Sequence, residues 1–420
     1  MTFDPQSDDG AARGVYSGWW VAAGGFVMAF YAWGVGFYGH GLYMVVLGRS
    51  TGWPVSMLSS VVAGFWLANV AASLVLGRIA DRFGARPAVV YGALAMAAGC
   101  FALAAFEAGF FRARWQLFAI FALMGSAYPG LAAMAVSAAL VPWFKRRLGL
   151  ALGIALTGAS AGGAVMPPLM EWLSARYGFG PAMTGIGATL VLCVLPVALF
   201  LVRPPVAREA ARELGPAAAP AARDKRSPAR ILGDFRFWLI LSACSLSLGA
   251  QVGFLMHQIP LLQGPLGLSG ATFAVSIAAL SAAAGRFVLG ALSGRFSLPV
   301  LAAGCYLVQA LGLLLLLAGG PPALLFIASG IAGFVIGCIV MLPPLLLVDS
   351  FGQDGYGTAY GVTAASMFSM AGLATAAGGW LFDATGAYVW PLLGLTGLHL
   401  LAGLLVLWHG RRQRSREARL

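Results

Sequence analysis

Apolar runs of 20 residues or more recur along nearly the whole chain, interrupted by short charged or glycine-rich joints and one polar stretch at 203–234. A run of that length crosses the roughly 30 Å hydrocarbon core of a bilayer as a helix. In lipid, each backbone N–H and C=O must be satisfied within the spanning structure, which here favours helices. The pattern excludes a soluble core. Composition agrees: 10% of the 420 residues are charged, against about 25% in soluble domains, and the mean hydropathy is +0.86. Twelve spans are expected, at about 17–45, 53–78, 87–109, 115–141, 145–172, 180–202, 235–263, 271–294, 298–318, 321–350, 357–381 and 385–409. The first sixteen residues hold Asp4, Asp8, Asp9 and one Arg13, and so lack the basic start and cleavage site of a secretory signal. The first span is expected to stay as a helix.

Charge sets the orientation. Of the 26 Lys and Arg, 21 fall on the side that carries the termini, including Lys145, Arg146 and Arg147, eight from Arg203 to Arg236 and five from Arg411 onward. The opposite side carries Arg49, Arg112, Arg114 and Arg176, and the remaining cation is Arg286. Positive residues accumulate on the cytoplasmic side, so both termini are expected in the cytoplasm. The net charge of +12 is then a topology signal, and no nucleic-acid partner is implied.

Residues 203–234, rich in Pro, Ala and Arg, read as a cytoplasmic linker between residues 1–202 and residues 235–420, which end in a basic tail. These two segments look related. Gly77-Arg78-Ile79-Ala80-Asp81-Arg82-Phe83-Gly84 is answered 213 positions later by Gly290-Ala291-Leu292-Ser293-Gly294-Arg295-Phe296-Ser297, and Gly36-Phe37-Tyr38-Gly39-His40 by Gly253-Phe254-Leu255-Met256-His257 at an offset of 217. Two parallel six-span repeats are the plan of a secondary transporter that rocks about a central site.

The run Gly77-x-x-x-Asp81-Arg82-x-Gly84-x-Arg86 resembles the signature loop of the major facilitator superfamily. Its physics is legible: Gly77 permits close helix approach, Asp81 suits a helix N-terminus or an arginine, and Gly84 supports a tight turn. The resemblance implies two pseudo-symmetric six-helix bundles and a conformational latch at Gly77, Asp81, Arg82, Gly84 and Arg86 that holds the outward-open state. Within that superfamily, the chain is similar to the monocarboxylate transporters and oxalate–formate exchangers in three places: Tyr16-Ser17-Gly18-Trp19-Trp20-Val21, the run Trp143-Phe144-Lys145-Arg146-Arg147-Leu148-Gly149-Leu150-Ala151-Leu152-Gly153-Ile154-Ala155, and Gly285-Arg286. It departs from that group in reading Tyr31-Ala32-Trp33-Gly34-Val35 where animal members carry a lysine, in having Ala282 where they place an aspartate, and in lacking Lys or Arg in the eleventh span.

Arg286 is the one formal charge deep in a span, about 22 Å along its helix from Ala271. A cation there costs at least about 2.5–3.5 kcal/mol unless it faces water, a fixed partner or a mobile anion. Small residues flank it (Ala279, Ala282, Ala283, Gly290, Ser293), which leaves room for a ligand. One guanidinium matches one carboxylate bidentately; the alternative is a structural cation that snorkels or pairs with a helix end. His40 and His257 are the in-span groups able to take up a proton near neutral pH, or else neutral packing histidines; His399 and His409 read as peripheral. Tyr128, Gln251 and Asn69 are candidate cavity-lining residues, or ties between helices. Gly158, Gly162, Gly163, Gly372, Gly378 and Gly379 read as close-packing sites where the halves meet, and Pro167-Pro168 and Pro343-Pro344 as kinks.

Cys100, Cys193, Cys244, Cys305 and Cys338 read as small packing residues, with no metal and no cofactor implied. No phosphate-binding Gly-x-x-x-x-Gly-Lys-Ser/Thr loop occurs. In-span paired carboxylates, Ser/His pairs and metal-spaced histidines are absent, so the expected protein is not an enzyme. The reading is an all-α, multi-pass inner-membrane transporter, acting as a monomer, for a small organic anion, with protons as the coupling ion. The alternatives are an exporter of drugs or neutral metabolites and a non-transporting sensor.

Overall fold

The computed structural model describes residues 16–110, 113–144, 147–205, 228–352 and 356–417. Residues 1–15, Lys145 and Arg146 of the fifth-span motif, most of the 203–234 linker and residues 418–420 lie outside the described residues. Among the described residues there are helices and no strands.

In chain order, α1 (Gly18–Trp33) passes through a π-helical turn (Gly34–Tyr38) into α2 (His40–Thr51). Next come α3 (Val55–Phe83), α4 (Ala85–Glu107) and α5 (Arg114–Ala127). A 3-10 turn (Tyr128–Gly130) leads to α6 (Ala133–Leu140), followed by α7 (Leu148–Tyr177). The helix α8 (Phe179–Pro196) ends in a second π turn (Val197–Leu201), and the short α9 (Pro228–Leu232) lies at the end of the linker. Then follow α10 (Phe235–Leu292), α11 (Leu298–Ala318), α12 (Pro322–Phe351), α13 (Tyr356–Thr385) and α14 (Val389–Glu417). Eleven of the described helices are long and apolar enough to cross a membrane. At 58 residues, α10 would be about 87 Å long if unbroken. Gly267, at φ 69° and ψ 172°, breaks it between the two spans expected from the sequence. The proline pairs 167–168 and 343–344 sit inside α7 and α12, which remain helical through them.

Large apolar side chains turn outward, including Leu192 (72% exposed) and Phe200 (73%). Such a surface belongs in lipid, where outward apolar groups carry no penalty. Inside, α1 packs on α7, α3 on α5 and α4 on α8; α10 packs on α12, α13 and α14, and α11 on α12 and α14. The helices before and after the linker meet chiefly through α3 with α13 and α7 with α10. The α3–α13 crossing is antiparallel: Gly379 lies against Ser59, Gly372 against Ala63 and Trp66, and Phe368 stacks on Trp66.

One end of the molecule gathers the start of α1, the α6–α7 junction and the end of α8, where the Tyr16 hydroxyl donates to the Trp143 carbonyl at 2.6 Å and Trp143 Nε1 to the Arg203 carbonyl at 2.8 Å. Phe144 there packs on Tyr16 and Trp19, so two of the segments that carry the sequence resemblance touch. The starts of α10 and α11 meet the end of α14 through Phe235–Trp408 and Pro299–Gly410. This is the terminal end; the opposite is called the far end.

The glycine assignments need correction. Gly163, Gly372 and Gly379 do meet helices from the other side of the linker, whereas Gly158 and Gly162 lie on α1 at Phe26 and Phe30, and Gly378 lies on His257. A helix uses its glycines wherever a neighbour comes closest, and α1–α7 is as tight a contact as the interface. Gly77 is not a point of close approach either: a Cβ there would meet only the Met134 sulfur, at 3.9 Å.

Candidate functional site

Two spans are interrupted in their middles. The first carries the π turn at Gly34–Tyr38, and the fourth carries the 3-10 turn at Tyr128–Gly130. Irregular backbone at membrane depth is tolerated where it is buried in protein or lines a cavity, and π turns concentrate at functional positions. The two breaks face one another: a Cβ on Gly36 would stand 2.9 Å from Tyr128 Cδ2. Sequence chemistry explains both. Gly34 and Gly36 weaken the first helix, and Pro129 removes a backbone donor from the fourth.

Arg286 lies on the stretch of α10 after Gly267. Its aliphatic stem passes Gly337 of α12, where a Cβ would stand 2.7 Å from its Cγ. Its guanidinium reaches across to α7, and Nη1 donates to the Leu156 carbonyl at 3.4 Å. Among the described residues this long bond is the only hydrogen bond Arg286 makes, and no carboxylate pairs with it. A guanidinium offers five donors, so most of its capacity stays open. The side chain is half-buried. The Tyr38 ring, at the end of the π turn, lies against Gly163 of α7 where Ala279 of α10 also approaches, about two turns along the same two helices from Leu156 and Arg286. Arg286 and the first broken span thus border one α7–α10 seam, and the π turn leads on to Tyr128 through Gly36.

Tyr128 is the hub of a group of rings. Trp33 lies 5.7 Å from it, and Phe65 and Trp66 each 5.8 Å; Trp66 stacks on Phe368 at 5.5 Å and 10°. The other candidates are placed differently. His40 is enclosed by Phe65 (4.5 Å), Phe121 (5.7 Å), Tyr43 (6.0 Å) and Trp66 (6.1 Å). His257 Nε2 donates to the Thr375 carbonyl at 3.1 Å and the ring packs on Tyr388, binding α10 to α13. Asn69 and Gln251 are buried, with the Asn69 Nδ2 and both polar atoms of the Gln251 amide unpaired among the described residues. The structure thus places Arg286 and Tyr38 along one α7–α10 seam and leaves the two histidines in separate packing contacts. Sequence reasoning missed Tyr38, Trp33, Trp66 and Phe368; the signal was the aromatic density around Gly34-x-Gly36.

The expected latch residues surround the α3–α4 joint at the terminal end. Gly84 has φ 79° and ψ 174°, a backbone conformation that favours glycine, at the joint between the two helices. Arg86 Nε donates to the Val202 carbonyl at 2.9 Å, and Arg82 lies over the Phe83 ring at 5.2 Å. Asp81 is exposed. Among the described residues, three groups of far-end hydrogen bonds join the helices on either side of the linker: Arg49 to Gln263 at 3.0 Å, Ser269 to Glu171 at 3.0 Å, and the amides of Val55 and Ser56 to Asp383 at 3.2 and 2.7 Å. Nearer the centre, Ser276 donates to the Ala164 carbonyl at 2.6 Å.

Among the described residues, eleven long apolar helices with a buried core and an apolar outer surface define a multi-pass helical membrane protein. The chain belongs to the Major Facilitator Superfamily, whose model matches residues 22–376. It is similar to an MFS-type transporter of Gibberella moniliformis, 30% identical over 266 residues covering 62% of this chain and 61% of that protein. MFS-type transporter 1 of an Ophiocordyceps species is 29% identical over 192 residues, 44% of this chain and 40% of its own length. MFS-type transporter pytF of Aspergillus terreus is 28% identical over 310 residues, 70% of this chain and 96% of its own. The matched stretch thus spans less than two thirds of the first two relatives.

Proposed function

We propose that this protein is a secondary active transporter of a small organic anion, a monocarboxylate, with protons as the coupling ion. The observation that carries the reading is Arg286: half-buried in a span, without an acidic partner among the described residues, and on the α7–α10 seam that the π turn of the first span also borders. A carboxylate arriving there would neutralise the guanidinium and let the site close, since an uncompensated charge resists dehydration.

The mechanism is alternating access by two six-helix halves, residues 1–202 and 235–420, with twelve spans because the break at Gly267 divides α10. Both termini face the cytoplasm, as the basic residues at that end favour. With the far-end ties made, the state described is closed at the far end and serves the terminal side. The loop around Asp81 would latch the opposite state, in which Gly77, Asp81, Arg82, Gly84 and Arg86 act together. His257 is the preferred proton carrier, and Gln251 and Asn69 are polar groups free to meet substrate or water. The relatives named above are fungal and lend nothing to a bacterial-type inner membrane, so the reading keeps only a multi-pass protein of a cell membrane.

Uptake of a labelled monocarboxylate into proteoliposomes under an imposed pH gradient tests this. Saturable accumulation that collapses with the gradient supports it. Binding without accumulation would make the protein a sensor.

A further inference from the structure

We infer that the anion carries a flat aromatic or conjugated body beyond its carboxylate, an inference that rests on Arg286 as the carboxylate's partner. The rings around Tyr128 are of two kinds. Phe65 and Trp66 are fully buried and serve as packing. Trp33 and Phe368, at the two ends of the series, are half-buried, so each leaves part of a ring uncovered. Trp33 adjoins the π turn and touches Tyr128, and Phe368 reaches the same group across the α3–α13 crossing. From the α7–α10 seam that holds Arg286, the π turn leads through Gly36 and Tyr128 to these ring faces. Ring faces favour offset or edge-on contact with another π-system. Acetate or lactate has no surface to lay there.

The test uses the purified full-length protein and equilibrium binding of benzoate, cinnamate, acetate, lactate and benzamide. Benzoate and cinnamate are expected to bind about tenfold tighter than acetate or more, the scale of one well-packed aromatic contact. Trp33→Ala and Phe368→Ala should shrink that preference while acetate binding holds, and Arg286→Lys should weaken all the acids together. Trp33→Leu and Phe368→Leu, with melting temperatures alongside, cover an alanine variant that does not fold. Equal binding of benzoate and acetate overturns the aromatic inference and leaves the anion reading intact. Benzamide binding as tightly as benzoate, or no acid binding at all, overturns the anion reading itself.

A separate observation concerns Asp383. The helix α3 starts after Pro54, whose side chain cannot cap it, and both carboxylate oxygens of Asp383 take its first amides, 328 and 327 positions away in sequence. Asp383 and Asp81 each stand two residues before the last residue of α13 and α3. In the antiparallel register of those helices, Asp81 is level with the start of α13, yet it is exposed and without a hydrogen bond among the described residues. The geometry points to Asp383 as a far-end latch that caps α3 from across the interface and is released when the far end opens.

Maleimide labelling of Ser59→Cys, a position buried against Gly379 at the far end, reads out that opening above the background of the native cysteines. Asp383→Ala should raise the labelling rate roughly threefold to tenfold, the scale of losing a helix cap. Asp383→Asn, which keeps an acceptor, should fall between. Melting curves confirm that each variant is folded, and Asp383→Glu provides a carboxylate rescue. Unchanged labelling in folded Asp383→Ala overturns the latch.

Discussion

The Tyr128 ring stands where a side chain on Gly36 would be. A methyl there would lie 2.9 Å from Tyr128 Cδ2 and 3.1 Å from Met96 Cε. The π turn of the first span and the 3-10 turn of the fourth can meet because one contributes no side chain. Gly36→Ala is expected to cost about 1–3 kcal/mol through overpacking and to weaken substrate binding, since the Tyr128 ring must shift. Gly36→Val should cost more. Melting temperature and binding, measured together, check this; wild-type values for both would show that the breaks do not shape the site.

Trp66 is fully buried between Tyr128 and Phe368 and joins α3 to α13. Trp66→Ala should destabilise by about 3–5 kcal/mol, as large-to-small changes do at buried aromatic positions. Trp66→Phe should retain most of that. The comparison is read from thermal unfolding in detergent.

The histidines separate two roles. The Thr375 carbonyl only accepts, so His257 Nε2 carries the hydrogen and Nδ1, unpaired among the described residues, is the nitrogen left to receive a proton. His257→Gln is expected to keep acid binding and lose accumulation driven by a pH gradient. His40, closed in by rings, should tolerate His40→Phe with gradient-driven uptake intact. The opposite pattern in the two variants would move the proton route to the first span.

The helices were legible because lipid leaves so few options: hydropathy alone located each of the long helices, and Gly267 falls between the two spans expected within 235–294. Arg286 stood out as a candidate for the same reason, since a charge in an apolar run is conspicuous. The breaks were not. A π turn at Gly34–Tyr38 and a 3-10 turn at Tyr128–Gly130 leave hydropathy unchanged, so Tyr38 and Trp33 looked like any aromatic residues in a span. Interface glycines were equally ambiguous, because Gly158 facing α1 and Gly372 facing α3 have the same local sequence character. Asp383 could not be assigned a partner from sequence when its cap lies more than 300 residues away.

The most direct measurement is equilibrium binding of a monocarboxylate to wild type, Arg286→Lys and Arg286→Ala, each shown to be folded by its melting temperature. Losing a charge-assisted hydrogen-bonded contact should cost about 2 kcal/mol or more, roughly thirtyfold in affinity for Arg286→Ala, with Arg286→Lys between. Wild-type affinity in the folded alanine variant would contradict the account.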